Sequence, residues 1–259
     1  MRQAATAPES RLGHTSGRHL WTGIRMSSEI GELLGNVEGG LTHPGAGAAA
    51  FASEPPAAAA RTTRATVLFV DLRGYTALAE RLAPTAVVSL LDEFFEVLTG
   101  ATETHHGRIF YMVGDGMMAG FGVLDAAHDG AKDALAAAQA MLRDFAPIVV
   151  RWRRDLGVET GIGIGLHLGE VALGLQGPPG QRSSTLVGDT VNVAARLCGR
   201  ARAGEVLFSS TVAACLQGDG SGNGKSVMPP CIRLPQFSLR GRSRPLDIWC
   251  MPVSERLAV

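Results

Sequence analysis

Asp71 closes the apolar run Ala65-Thr-Val-Leu-Phe-Val-Asp71 and is followed by Leu72-Arg-Gly-Tyr-Thr76. A second carboxylate, Asp115, sits in Val113-Gly-Asp-Gly-Met-Met-Ala-Gly-Phe121. Further on, Gly188-Asp-Thr-Val-Asn-Val-Ala-Ala-Arg196 sets Asn192 and Arg196 one helical turn apart, on one face. Two carboxylates that meet repel each other unless a cation sits between them. Such an oxygen-only pair suits Mg²⁺ or Mn²⁺, with phosphate oxygens completing the shell. Metals held this way activate an attacking hydroxyl and stabilise a leaving oxygen. Arg keeps its charge and grips a phosphate through several N–H groups, and Asn orients an oxygen without adding charge. The combination fits phosphoryl transfer.

Each residue also has a plainer reading. Asp71 could begin a turn, and Asp115 could be an ordinary hairpin Asp before glycine. Asn192 and Arg196 could be a surface pair on an amphipathic helix whose core face is Val191, Ala194, Ala195 and Leu197. The chemical reading gains weight because both carboxylates lie at strand ends that could be sheet neighbours. Gly74 allows a tight turn, and the helix after it begins with free N–H groups that can hold phosphate oxygens.

The elements that must position these groups follow from periodicity. Residues 65–72 read as a buried strand. Pro84 to His105 has helical spacing at Val87, Leu91, Phe94 and Leu98, with Pro84 at its start and Gly107 as its stop. Residues 108–113 and 117–121 read as strands joined at Gly114-Asp-Gly116. A helix is expected over 126–145, and a strand pair over 159–167 and 170–175 around Gly169. A short strand at 185–187 and a helix over 190–202 follow. Strands at 205–208, 237–239 and 246–250 complete an α+β sandwich with a mostly antiparallel sheet.

Residues 1–60 are dominated by Gly, Ala, Pro and Ser. They predict a flexible segment, with one short helical turn at 28–34. The glycine-rich stretch 217–230 predicts a surface loop. The folded domain is expected over 61–253, with 254–259 as a tail.

Composition narrows the chemistry further. The 259 residues carry 24 basic and 24 acidic side chains, so nothing favours a nucleic-acid polymer as partner. The run Arg151-Trp-Arg-Arg154 reads as a solvated helix end. The four cysteines (Cys198, Cys215, Cys231, Cys250) lack zinc-ligand spacing and read as buried or half-buried thiols of a reducing compartment. No apolar run approaches the roughly 18 residues of a membrane helix, and no secretory signal is evident. A cytoplasmic chain without an integral membrane segment is expected. His105 and His106 read as a helix end, His167 as structural, Met112, Met117 and Met118 as core filler, and Trp152 and Trp249 as packing residues.

Six segments occur in one order: Phe-Val-Asp71-Leu-Arg-Gly-Tyr-Thr, Gly114-Asp-Gly-Met-Met-Ala-Gly-Phe, Gly163-Ile-Gly-Leu-His-Leu-Gly-Glu-Val, Val187-Gly-Asp-Thr-Val-Asn-Val-Ala-Ala-Arg-Leu, Gly204-Glu-Val-Leu and Leu239-Arg-Gly. Together they resemble the catalytic domain of the class III adenylyl/guanylyl cyclases, over about residues 64–252. The resemblance implies a ferredoxin-like βαββαβ core and a homodimer with sites at the subunit interface. It implies that Asp71, Asp115 and the backbone carbonyl of Leu72 hold two Mg²⁺ or Mn²⁺ ions per site. Asn192 and Arg196 would come from the other subunit, and Gly74, Tyr75, Thr76 and Arg240 would contact phosphates. The expected reaction turns ATP, or GTP, into a 3′,5′-cyclic nucleotide and pyrophosphate.

One departure stands out. Tyr111 occupies the place where adenylyl cyclases usually carry a base-reading Lys, and Thr185 the partner place where many members have Asp and some bacterial ones Thr. Two neutral groups should discriminate adenine from guanine less sharply, because a mismatch strands no buried charge. Neither place has the Glu/Cys-type pair expected for guanine. Adenylate cyclase is therefore the leading expectation, ahead of a guanylate cyclase and a non-catalytic nucleotide-binding or dimerisation module.

Overall fold

The central strand β1 (Arg61–Arg73) is long because its apolar run serves both faces of a sheet. Leu68, Val70 and Leu72 point to one side, and Val67, Phe69 and Asp71 to the other. The structure is a computed structural model that describes residues 60–124, 128–178, 181–217, 228–236 and 245–252. The remaining elements are α1 (Tyr75–Arg81), α2 (Pro84–Thr104), β2 (Arg108–Val113), β3 (Gly116–Phe121), α3 (Ala131–Leu156), β4 (Gly161–Gln176), β5 (Ser183–Val187), α4 (Asp189–Cys198), β6 (Val206–Ser209), α5 (Ser210–Gln217), β7 (Ile232–Arg233) and β8 (Ile248–Met251).

Among the described residues these strands form one sheet in the order β2-β3-β1-β4-β6-β8-β7, with β5 paired to β4. Only the β4–β6 pairing is parallel. The expected mixed fold with a mostly antiparallel sheet is what forms, and β1 through β4 with their helices make the βαββαβ core. One face is covered by α1, α2, α3 and α5. There Phe145 meets Phe94 and Trp152 edge-on, at 5.6 and 5.5 Å between ring centroids. Trp152 Nε1 donates to Glu93 at 3.1 Å, and Arg151 pairs with the same carboxylate. Residues 151–154 are thus the end of α3, with Trp152 as its buried member. The other face is covered by α4, which packs on Ala65, Val67, Phe69 and Val171.

Several boundaries differ from expectation. The strand pair around Gly169 is a single 16-residue strand, β4, without a turn. Gly169 faces Ala65 in the β1–β4 ladder, and its missing side chain makes room for Thr190 instead. Helix α3 begins at Ala131, where Asp129 Oδ1 accepts the Ala131 N–H at 3.1 Å. It then runs through Pro147 to Leu156 rather than stopping at Phe145. Trp152 anchors its second half to the core and outweighs the hydrogen bond that proline removes. Helix α4 stops at Cys198, short of residue 202. Met112 is exposed rather than core filler. Strand β7 was not anticipated. The expected flexible segment, the helical turn at 28–34, most of the 217–230 loop, the strand at 237–239, Arg240 and the tail at 254–259 lie outside the described residues. Among the described residues no helix is long and apolar enough to cross a membrane.

Candidate active site

Asp71 faces Gly116 of β3 on one side and Gly163 of β4 on the other. Asp115 lies in the β2–β3 turn beside Gly116, and its carbonyl accepts the Leu72 N–H at 3.0 Å. The two carboxylates therefore share one end of the sheet, as their strand-end positions suggested. Burial pushes the Asp71 carboxyl up to about 6; Arg73 pulls it down, and the charge of Asp115 adds to the rise. Burial likewise raises Asp115, against its backbone hydrogen bond and Arg73. Two such carboxyls welcome a cation. Among the described residues no group of three or more His, Cys, Asp or Glu side chains is placed to hold a metal. Two carboxylates at one sheet end are oxygen donors only, a chemistry compatible with a hard divalent cation such as Mg²⁺ or Mn²⁺.

Arg73, two residues along β1, shares the face of Asp71. Its Nη1 donates to Asp71 Oδ1 at 2.7 Å, and its Nη2 donates to the Cys198 carbonyl at 2.6 Å. The guanidinium occupies the space over Gly163, where a Cβ would meet Nη2 at 2.4 Å. Cys198 Sγ in turn donates to the Gly163 carbonyl at 3.3 Å, and burial pushes its thiol up to about 12 against the pull of Arg73.

The same absence of side chains brings α4 onto the sheet. A Cβ on Gly165 would lie 2.1 Å from Cys198 N and 2.4 Å from the Ala194 carbonyl. One on Gly169 would lie 2.5 Å from Thr190 Oγ1, which donates to the Glu170 carbonyl at 2.6 Å. Helix α4 thus rests on Gly165 and Gly169 through Thr190, Ala194 and Cys198. Residues two apart on a helix lie about 200° apart around its axis, so Asn192 and Arg196 ride on the opposite side. Asn192 is exposed and Arg196 half-buried. The core face is Val193, Ala194, Leu197 and Cys198; Val191 and Ala195 are only partly buried, contrary to expectation. Within one chain the Asn/Arg pair turns away from the sheet face that holds the carboxylates.

The other anticipated residues are placed as follows. Gly74 adopts a left-handed φ of 79° and leads into α1, whose first turn has no side-chain cap. Tyr75 is half-buried there and Thr76 exposed. A register shift between Ile109 and Tyr111 bulges β2. Tyr111 is half-buried against the cluster under α4, and burial raises its hydroxyl. Thr185 of β5, half-buried, faces Gly174 of β4, and β5 lies against β2. His167 is buried, with Nδ1 2.7 Å from Ser209 Oγ, in keeping with a structural role.

Arg73 and the glycine row were not singled out from sequence. Both had a signal: Asp71 and Arg73 are two apart on a strand, and Gly161-Ile-Gly-Ile-Gly-Leu-His-Leu-Gly169 alternates glycine with aliphatic residues at a strand's period.

The model of the adenylate and guanylate cyclase catalytic domain matches residues 57–239. An adenylate cyclase of Anabaena cylindrica is 32% identical over 149 residues, covering 54% of this chain and 28% of that protein. An uncharacterised protein of Mycobacterium tuberculosis is 34% identical over 179 residues, covering 68% of this chain and 30% of its own length. The chain thus spans roughly three tenths of these relatives. Among solved structures, the adenylyl cyclase CyaB from P. aeruginosa superposes with a TM-score of 0.68 at 27% identity, over 77% of this chain and 98% of that one. The guanylyl cyclase Cya2 superposes with a TM-score of 0.63 at 28% identity, over 76% and 95%.

Proposed function

The chain belongs to the adenylate and guanylate cyclase catalytic-domain family, and from that premise we propose that it is an adenylate cyclase working as a homodimer. The observation that carries the reading is the placement of Asp71 and Asp115 at one sheet end, with Asn192 and Arg196 on the far side of α4. A second copy completes each site, because one chain presents both halves facing different ways. Exposed Met112 and Val113 on β2 and Val187 on β5 offer apolar surface for that contact.

Asp71, Asp115 and the Leu72 carbonyl are the groups that would hold two Mg²⁺ or Mn²⁺ ions. When bound, such ions supply charge neutralisation and a more acidic attacking hydroxyl. The chain's own groups do the rest. Asn192 orients the ribose, Arg196 meets charge building on the α-phosphate, and the Gly74–Thr76 turn and Arg240 take the outer phosphates. The ribose 3′-oxygen forms its bond to the α-phosphorus as the bond to the bridging oxygen breaks and pyrophosphate leaves. A cytoplasmic supply of ATP fits this chemistry.

Tyr111 and Thr185 favour a second reading, relaxed choice between ATP and GTP, because neither brings a fixed charge to the base. The test supplies ATP and GTP together with Mg²⁺ or Mn²⁺, identifies products by mass, and uses Asp71→Asn as the blank. Cyclic AMP above the blank is expected. Cyclic GMP alone transfers the assignment to a guanylate cyclase. No cyclic product from a folded dimer that binds nucleotide refutes both in favour of a binding module.

A further inference from the structure

Arg73 touches both halves of the catalytic equipment in one chain, the Asp71 carboxylate and the carboxyl end of α4. We infer that Arg73 is a positioning residue that yokes Asp71 to α4, so that metal loading at Asp71 is felt by the helix carrying Asn192 and Arg196. The inference rests on the proposal that Asp71 and Asp115 hold metal.

Three observations support it. The guanidinium spans the gap with one nitrogen on each partner, 2.7 Å to Asp71 Oδ1 and 2.6 Å to the Cys198 carbonyl. The bare Cα of Gly163 provides its seat, so a side chain at that position would expel it. Its third nitrogen, Nε, is buried without a hydrogen-bond partner among the described residues. A buried unsatisfied donor is costly, so this pose leaves part of the guanidinium's bonding capacity unmet. A positive charge at the last carbonyls of α4 also complements the helix dipole.

From these contacts the behaviour follows. Without metal, Arg73 serves as the counter-cation of Asp71. A divalent ion at the carboxylates repels the guanidinium and competes for Oδ1. The displaced charge has one partner left, the end of α4, and that end shifts with it. In the dimer, Asn192 and Arg196 of the same chain belong to the other site. Loading one metal pair therefore adjusts the polar clamp of the opposite site.

The test uses the full-length, nucleotide-free protein and Mn²⁺, with binding followed by electron paramagnetic resonance and α4 followed by hydrogen exchange of the peptide spanning 189–198. In the wild type, Mn²⁺ should change exchange in α4. Arg73→Gln should bind Mn²⁺ roughly five- to tenfold more tightly, the scale of one partly buried ion pair, and lose the response in α4. Arg73→Lys keeps the charge but reaches only one partner. It should bind Mn²⁺ within about twofold of wild type on the same scale and also lose the response. Either variant suffices if the other fails to fold. An α4 response that persists in a folded Arg73 variant, or is missing in the wild type although Mn²⁺ binds, overturns the yoke. Asp71→Asn separates this from failure of the underlying reading: Mn²⁺ affinity unchanged by that substitution removes the metal site itself.

Discussion

Asp71 is held between a burial cost and two charges of opposite sign, and its carboxyl rises to about 6 from 3.8. Between those pH values the folded, metal-free protein holds a proton that the unfolded chain releases. The associated stability is present below about pH 4 and is lost as pH rises through about 6, with a ceiling near ~3 kcal/mol. Asp71→Asn is expected to melt higher than wild type at pH 7.5 without metal and to lose that advantage near pH 4. Equal melting temperatures at both pH values would count against the burial of this carboxyl. Mn²⁺ affinity of the wild type should fall as pH drops through about 6, because the proton and the cation compete for one oxygen pair. On the proposed mechanism Asn192 acts on the transition state instead. Asn192→Ala should lower turnover by roughly 10²–10³ with little change in KM, as loss of an oxyanion donor does; an unaltered kcat would remove its assigned role.

At the scale of elements, the proposed site depends on how closely α4 approaches the sheet. Gly165 lies under the backbone of Ala194 and Cys198, which cannot swing aside as a flexible side chain could. Gly165→Ala should lift α4, destabilise the fold by about 1–3 kcal/mol as an overpacked core does, and cost far more activity than that loss explains. Melting and turnover measured on the same preparation check this; a fully active Gly165→Ala protein would show that the seat is not needed. The sequence revealed the elements where a period was long and clean: β1, α2 and the β2–β3 hairpin. It misled at Gly169, because glycine in a strand means either a turn or a close approach, and only the partner helix decides. It misled at Pro147, because the anchoring of Trp152 on Glu93 is a long-range contact. The meeting of Asp71 and Asp115 was legible because both sit at strand ends joined by a short hairpin. Arg73 was not, since its meaning depends on reaching Cys198, 125 residues away in the chain.

For the whole molecule, the two faces of α4 predict a division of labour between subunits. Asp71→Ala and Asn192→Ala proteins should each be inactive, and mixing them should restore part of the activity through one intact site per heterodimer. Confirmed heterodimers without recovery would exclude the shared-site arrangement. The row of glycines on β4 has a consequence for how such a chain tolerates change. Gly163 and Gly165 contact no nucleotide in this reading, yet any side chain there evicts Arg73 or α4. In a saturation library selected for cyclic-nucleotide output, these positions should be depleted as severely as the carboxylates. A catalogue of intolerant sites would then count glycines that do no chemistry among the enzyme's essential residues.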